Sequence, residues 1–251
     1  MFANDTEKQL MELMKDNEAL LTLFQQYQEE ISLFLSRMTH DIKNPLTLMN
    51  SSLQLMEKKQ PSLGDSPYWN GIKTDLKDLF SLLNQLRSFH YGDQLTLSYT
   101  DLAALLMDLT ASFEAFAREK NAKLTITLTD NCHPYVDKYC CDSVKLKEAL
   151  VNLIKNGIEA TEEEGLVSIV CSLKEDLISI AITNTGSPID EEELTRIFAP
   201  FYTTKSGGTG LGLPTVHKII AAHKGQLHVE SYDHKTTFTL YLPIEMRSEI
   251  D

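Results

Sequence analysis

The stretch that decides the fold is residues 148–160, which read EALVNLIKNGIEA. Apolar residues recur there at three- and four-residue intervals, which predicts a helix at about Ser143 to Thr161. Glu148, Asn152 and Asn156 are spaced by four and therefore share one face of that helix. Amide oxygens are suitable ligands for Mg²⁺, which binds phosphates as well. A merely solvated polar face explains the same spacing when the helix is considered alone.

Two glycine-containing stretches follow this helix along the chain. Residues 182–189 read ITNTGSPI at the end of a predicted strand, and Gly186 would let the backbone approach a flat base closely. Residues 201–213 read FYTTKSGGTGLGL, with Lys205 just before the glycines. Glycines that run into a helix start offer N–H groups and a helix dipole to phosphates. Taken alone, such a loop is often only a flexible turn.

Strands and helices alternate on both sides of these stretches. We expect helices at about Asp101–Lys120 and Pro214–His223, and strands at Lys123–Thr129, Leu166–Leu173, Leu177–Thr183, Gln226–Ser231 and Thr236–Leu242. This pattern predicts an α/β sandwich domain, with helices packed on a sheet, over residues 95–246. We expect residues 247–251 to form a tail.

The N-terminal part of the sequence has a purely helical pattern. A helix at about Thr6 to Gln60 carries heptad-spaced apolar residues with Asn17 as the polar interruption, namely Leu10, Leu13, Leu20, Phe24, Tyr27, Ile31, Phe34 and Met38. This spacing predicts a coiled coil over residues 1–31; an amphipathic helix packed on its own chain is the alternative. A turn at residues 61–67 and a second helix at about Tyr68 to Tyr91 complete a hairpin. Because a hairpin cannot bury its own apolar stripes, we expect residues 32–94 to form a dimeric four-helix bundle.

The first helix also contains a polar segment, residues 36–46, which read SRMTHDIKNPL. Pro45 cannot donate a hydrogen bond to the carbonyl of Asp41, so a kink is expected one turn after His40. Asp41 can hold the imidazole in one tautomer and leave the other ring nitrogen as a nucleophile. A His-Asp pair on a helix is by itself usually just a solvated face.

The order of these motifs resembles the histidine kinases. Their phosphoacceptor box reads His-Asp/Glu-x-x-Thr/Asn-Pro. The order Asn-x-x-x-Asn, Asn-x-Gly, Phe-x-x-Phe-Tyr-x-x-Lys and Gly-x-Gly-x-Gly in this sequence resembles their ATP-binding domain. That fold is shared with gyrase and MutL. The resemblance covers almost the whole chain after about Ser32 and implies an α plus α/β protein that binds Mg-ATP.

The resemblance also implies residue roles. His40 would be the phosphoacceptor, Asp41 its general base and Asn44 the residue that orients water for dephosphorylating a partner. Asn156 would ligate Mg²⁺, and residues 187–209 would form a mobile lid. Nucleotide contacts would come from Asn152, Lys155, Asn156, Asn184, Gly186, Ile189, Phe198, Tyr202, Thr204, Lys205, Gly208, Thr209, Gly210, Leu211, Gly212 and Leu213.

Two residues depart from the family's usual pattern. Asn184 stands where the adenine contact is usually Asp, and because an amide can also donate, we expect weaker rejection of guanine. Glu159 stands where many relatives carry a lysine that faces the phosphates. Lys205 would then carry that role alone, with Lys155 as a weaker substitute.

Composition excludes some classes of protein. The chain has 251 residues, with 23 Lys plus Arg against 36 Asp plus Glu, and this acidic balance argues against a nucleic-acid binder. No apolar run approaches the ~20 residues that span a bilayer, and no signal peptide is recognisable, so we expect a cytoplasmic protein. The starting methionine favours a complete chain, although the cytoplasmic part of a longer protein fits too. We expect reduced thiols at Cys132, Cys140, Cys141 and Cys171; a metal held by the first three with His133 is the alternative.

The sequence therefore predicts a homodimeric histidine kinase that phosphorylates His40 from Mg-ATP and passes the phosphoryl group to an aspartate of a response regulator receiver domain. An upstream sensory protein is a further candidate partner. Two other interpretations stay open. One is a phosphotransfer or scaffold protein with a vestigial ATP domain, and the other is a serine kinase or anti-sigma factor with the same ATP fold.

Overall fold

The computed structural model describes residues 18–205 and 207–244. The chain divides into two compact units, the first ending at Tyr91 and the second beginning at Gly92. The start of the predicted coiled coil, with Leu10, Leu13 and Asn17, lies outside the described residues, as does the predicted tail at 247–251.

The first unit is a helical hairpin, as the apolar periodicity predicts. Helix α1 (Glu18–Lys59) continues through Pro45 as one element, and a 3₁₀ turn (Pro61–Asp65) leads into α2 (Pro67–His90). Proline suits the first turn of α2 because an N–H there would have no partner within the helix. The Lys73 ammonium lies 2.8 Å from a Glu57 carboxylate oxygen and so links the two helices near the turn.

The second unit contains a small two-stranded sheet and a larger five-stranded one. Its elements are β1 (Ser98–Thr100), α3 (Leu102–Glu119), β2 (Lys123–Leu128), α4 (His133–Val136), β3 (Tyr139–Cys141), α5 (Ser143–Ala160), β4 (Leu166–Lys174), β5 (Leu177–Thr185), α6 (Glu191–Leu194), α7 (Gly212–Ala222), β6 (Gln226–Tyr232) and β7 (Lys235–Pro243). The large sheet has the order β2-β4-β5-β7-β6; only the β2–β4 pair is parallel. Strands β1 and β3 pair antiparallel.

The core of the second unit lies between the large sheet and three helices. Helix α3 packs on β2, α5 on β4 and β5, and α7 on β6. Along β5, Ile178, Ile180 and Ile182 are buried, and the alternate Ala181 and Thr183 are only half-buried. One side of the sheet therefore faces the helices, which confirms the predicted α plus α/β class. The short elements β1, β3, α4 and α6 were not predicted from the sequence.

A buried polar cluster fixes the start of α5. The Asp142 carboxylate accepts hydrogen bonds from the backbone N–H groups of Val144 and Lys145, which caps the helix. The Asp142 N–H donates to His223 Nε2 at 3.1 Å, and Nδ1 of the same ring lies 2.7 Å from the Ile219 carbonyl oxygen. With Nδ1 donating and Nε2 accepting, the imidazole is neutral, and burial lowers the pKa of His223 below 6.5. This histidine thus joins the C-terminal end of α7 to the N-terminus of α5.

Candidate functional site

The predicted phosphoacceptor lies on the outside of α1. The His40 side chain is 71% exposed, whereas Thr39 beside it is buried. Asp41 Oδ1 lies 3.3 Å from His40 Nδ1, and Asn44 Nδ2 lies 3.4 Å from the same nitrogen. The three residues of the predicted catalytic set therefore meet on one surface of the helix, with both contacts on Nδ1. With the proton on Nδ1, the imidazole donates to the Asp41 carboxylate, Asn44 Nδ2 is a near neighbour and not a hydrogen-bond partner, and Nε2 is left as the nucleophile.

The predicted nucleotide residues of α5 lie on one face. The opposite face of the helix is buried in the core, through residues such as Leu150, Leu153 and Ile154. Asn152 and Asn156 therefore point away from the core. Gly212, the first residue of α7, lies so near that a Cβ added to it would stand 3.4 Å from Asn152 Oδ1. The start of α7, with the N–H groups that a helix N-terminus offers to anions, is thus next to the asparagine face.

Lys205 reaches this same face from the segment after β5. Its ammonium lies 3.2 Å from Asn156 Oδ1 and 2.6 Å from Glu159 Oε2. The other carboxylate oxygen of Glu159 is 3.7 Å from Lys155 Nζ. Two lysines predicted to contact the phosphates therefore share one carboxylate, and Lys205 also contacts the predicted Mg²⁺ ligand Asn156.

The predicted adenine contact, Asn184, is buried beside α5. It is 4% exposed and lies within β5, which extends to Thr185 and so runs past the predicted end of the strand at Thr183. Gly157 of α5 lies opposite, since a Cβ there would stand 3.6 Å from the Asn184 Cβ. A Cβ at Gly186 would collide with the carbonyl oxygen of Ala160. This close approach of the two backbones explains why glycine follows Asn184 by two residues.

The segment between β5 and α7 carries the remaining predicted contacts. The Ile189 N–H donates to Ser231 Oγ at 2.7 Å, the Phe198 ring packs 5.8 Å from the ring of His217, and the Arg196 guanidinium lies 4.4 Å above the Tyr202 ring. The first two contacts hold the segment against β6 and α7, and the third lies within the segment itself. The predicted site residues Ile189, Phe198 and Tyr202 are partly buried and pack against the core of the second unit.

The glycine loop closes onto the aromatic stretch before it. The Phe201 N–H donates to the Gly210 carbonyl at 3.0 Å. Gly210 has a φ of 67°, and a Cβ there would collide with the Phe201 backbone. A Cβ at Gly208 would likewise collide with Thr203 Oγ1. Glycine at both positions therefore lets the loop fold tightly onto the aromatic stretch.

Four further predicted residues lie around this loop. Leu211 is buried, and its N–H lies 3.3 Å from Thr209 Oγ1. Leu213 is half-buried inside α7, whereas Thr204 beside Lys205 is exposed. The predicted set is therefore assembled from α5, β5, the 187–211 segment and α7. Sequence reasoning missed the Asp142–His223 connection, because nothing in either residue's local sequence signals a partner some 80 positions away.

The structure also describes the four cysteines and the regions considered for metal binding and membrane spanning. Cys132, Cys140, Cys141 and Cys171 are all buried free thiols. Burial raises the pKa of Cys141 to about 11, which disfavours the reactive thiolate. Across residues 18–205 and 207–244, no three His, Cys, Asp or Glu side chains converge on a metal position. Over the same ranges, none of the helices has the length and apolar character needed to cross a membrane.

Two family models match the chain. The His Kinase A (phospho-acceptor) domain covers residues 30–94, and the histidine kinase-, DNA gyrase B- and HSP90-like ATPase covers residues 141–246. The chain therefore belongs to the family of two-component sensor histidine kinases, as its motifs indicate.

Individual relatives agree with this assignment. Sporulation kinase A of Bacillus subtilis is 32% identical over 94% of this chain and 37% of its own length. Sensor histidine kinase ZraS of Escherichia coli K12 is 29% identical over 82% of this chain and 44% of its own length. The chain thus spans less than half of each of these curated relatives.

Solved structures share the fold. The catalytic domain of histidine kinase ThkA is 33% identical, with a TM-score of 0.53 over 59% of this chain and 95% of that domain. ThkA crystallised in complex with the response regulator protein TrrA gives 27% identity and a TM-score of 0.60, over 87% of this chain and 65% of ThkA. ShkA, at 23% identity, gives a TM-score of 0.73 over 83% of this chain and 45% of ShkA.

Proposed function

We propose that this protein is an ATP-dependent protein-histidine kinase that phosphorylates its own His40 and then passes the phosphoryl group to an aspartate of a response regulator. The observation that carries the proposal is the exposed imidazole of His40 with Asp41 3.3 Å from Nδ1, within a segment that matches a phospho-acceptor family model. Nε2 would attack the γ-phosphorus of ATP in line, and Nδ1 would keep its proton against Asp41.

The α/β unit supplies the second half of this proposal. Asn156 would hold Mg²⁺, which when bound neutralises charge on the phosphates of ATP. Asn152 and the start of α7 would support the phosphates, and Asn184 would meet the adenine edge from its buried position. The residues fit such a ligand, because a cation, the Lys205 ammonium, already rests on Asn156 Oδ1. Positioning and charge stabilisation would supply most of the catalysis.

The partners of the proposed enzyme are a second copy of the chain and a receiver domain. The hairpin exposes apolar side chains such as Ile42, Met49 and Met56, which follow one another every seven residues along α1. A second hairpin would cover them in a four-helix bundle. The likeness to ThkA, which was crystallised with a response regulator, supports the receiver as the acceptor. A cytoplasmic location stays a prediction of the sequence.

The first test is incubation of the purified chain with γ-labelled Mg-ATP. We expect acid-labile, alkali-stable label on the wild type and on His228→Gln, a control at another exposed histidine. The label on His40→Gln should fall to background, because glutamine lacks the nucleophilic ring nitrogen that His40 presents beside Asp41 and Asn44. Label that persists on His40→Gln would overturn the assignment. Nucleotide binding without any label would instead favour a phosphotransfer or scaffold protein.

We also propose that Asn44 orients water for removal of phosphate from the receiver. Its side chain lies beside the His40 ring but does not have to take part in attack on ATP. Asn44→Ala should therefore keep most of the His40 labelling and lose receiver dephosphorylation, by a factor of about 10²–10⁴, which is the usual contribution of a positioned polar catalyst. The assay follows the decay of a phosphorylated receiver mixed with each variant. Equal losses of both activities would contradict this separate role.

A further inference from the structure

An ammonium group rests between two oxygens on the asparagine face of α5. Lys205 Nζ is 3.2 Å from Asn156 Oδ1 and 2.6 Å from Glu159 Oε2. Asn156 and Glu159 are three residues apart, so their side chains lie on the same side of the helix. The Glu159 side chain is only 28% exposed. The two oxygens therefore form a small cation site on the surface that the proposed function assigns to Mg-ATP.

Glu159 poses an electrostatic problem for a triphosphate site. A carboxylate next to the phosphates repels them unless a cation lies between the two, and the repulsion is strong where water is partly excluded. Lys155 and Lys205 both pair with this carboxylate, but Lys205 is also the lysine proposed to reach the phosphates. If Lys205 moves to the phosphates, Glu159 keeps only the longer contact with Lys155, and Asn156 Oδ1 loses its hydrogen-bond donor.

A divalent cation would satisfy both oxygens at once. Mg²⁺ in phosphate-transfer sites is usually held by one or two protein oxygens together with the phosphates and several waters. In the described part of the chain no three acidic, histidine or cysteine side chains form a cluster, so a site completed by the phosphates of the nucleotide fits better than a self-sufficient metal cage. The amide of Asn156 and the carboxylate of Glu159 supply the protein half of such a site.

We propose that Glu159 is a second protein ligand of the Mg²⁺ that accompanies ATP, bound directly or through a water, and that the Lys205 ammonium occupies this position in the nucleotide-free protein. Arrival of Mg²⁺ replaces Lys205 on both oxygens and frees the lysine for the phosphates. The inference rests on the proposed function, because it requires Mg-ATP to bind on this face. The inference gives Glu159 a role as a metal ligand. The lysine that many relatives carry at this position would instead contact the phosphates directly.

The test measures how much Mg²⁺ tightens nucleotide binding. The full chain is titrated with a non-hydrolysable ATP analogue by calorimetry, once in Mg²⁺ and once in EDTA. The dissociation constant in EDTA is divided by the one in Mg²⁺, and this ratio is compared between variants. Glu159→Gln removes the charged ligand and keeps the side-chain shape. We expect the Mg²⁺-dependent ratio to fall by about tenfold, in the usual range for coupling between two ligands. Glu163→Gln is the matched control, an exposed acid just beyond the same helix, and should keep the wild-type ratio.

The outcomes separate this inference from the proposed function. Binding in EDTA reports that Glu159→Gln is folded. A lower ratio that arises from weaker binding in Mg²⁺, with binding in EDTA retained, supports Glu159 as a ligand. A lower ratio that arises only from tighter binding in EDTA overturns the inference, because loss of the repulsion between Glu159 and the phosphates explains it. An unchanged ratio overturns the inference. One form of this outcome is nucleotide binding that tightens by the same factor in Mg²⁺ and in EDTA. Glu159 would then only repel the phosphates or restrain Lys205. A wild type that binds no nucleotide under either condition contradicts the proposed function itself, and this inference with it.

Discussion

The two units of this protein differ in how far their apolar side chains are buried. Among the side chains described in the first unit, only Thr39, Leu46 and Leu76 are buried, and large apolar side chains such as Met49 and Leu79 stay exposed. The second unit instead encloses a continuous core in which many residues have no exposed surface. The second unit therefore has the enclosed core that an independent domain needs, whereas the hairpin leaves much of its apolar surface uncovered.

The largest effect should follow from breaking the exposed apolar face of the hairpin. Met49→Glu places a charge at the centre of the Ile42, Met49 and Met56 row, where burial in a dimer would leave it unpaired. We expect the chain to become monomeric at concentrations where the wild type is dimeric, as measured by sedimentation or light scattering. Nucleotide binding by the second unit should stay within about twofold, since that unit encloses a hydrophobic core of its own, to which Met49 does not belong.

A charge on the polar stripe of the same helix serves as the control. Gln54→Glu lies away from that row on an exposed polar surface and should leave the dimer intact. Dissociation by both variants would mean that charge alone drives the effect. A wild type that is monomeric at all concentrations would remove the contrast between the two units.

A smaller effect, confined to the second unit, should come from His223. The folded pKa of this buried imidazole is lowered by desolvation, so its stabilising contribution is fully present above the unfolded value of about 6.5 and is lost as the pH falls below it. His223→Gln should cost about 1–3 kcal/mol at pH 8, because the buried N–H of Asp142 loses a well-placed acceptor. The cost should shrink towards pH 5.5, where the wild type is itself penalised for protonation.

Urea unfolding of the second unit at several pH values measures this cost. His228→Gln, at an exposed position on β6, should show no comparable change with pH. A His223→Gln penalty that is the same at pH 8 and pH 5.5 would contradict a neutral buried imidazole. The linkage between α5 and α7 would then have to rest on other contacts.

Much of the fold could be predicted because its signals are local. Three- and four-residue spacing of apolar side chains marks α1, α2 and α5, and alternation marks β4, β5 and β7. The short elements were missed since three or four residues are too few to show a period. Strand β3, for example, is buried at all three of its residues and so has no alternation to detect.

The candidate site was predictable as a set of residues but not as a set of contacts. His40, Asp41 and Asn44 are near one another on one helix, and their proximity follows from helical geometry alone. Glu159 and Lys205 are 46 positions apart, and their ion pair depends on how the segment after β5 returns to α5. The spacing of residue types along the chain does not show which distant segments meet in the fold.

By itself, the sequence determined the helical hairpin, the α/β class, the order of the nucleotide motifs and the family, because each is encoded in residue types at short, fixed spacings. Only the tertiary structure decided that Lys205 rests on Asn156 and Glu159, that Gly186 must admit the carbonyl of Ala160, and that His223 joins α7 to the start of α5. These contacts join residues that are far apart in the chain. They exist only because the sheet and its helices bury a common core and thereby fix the distances between them.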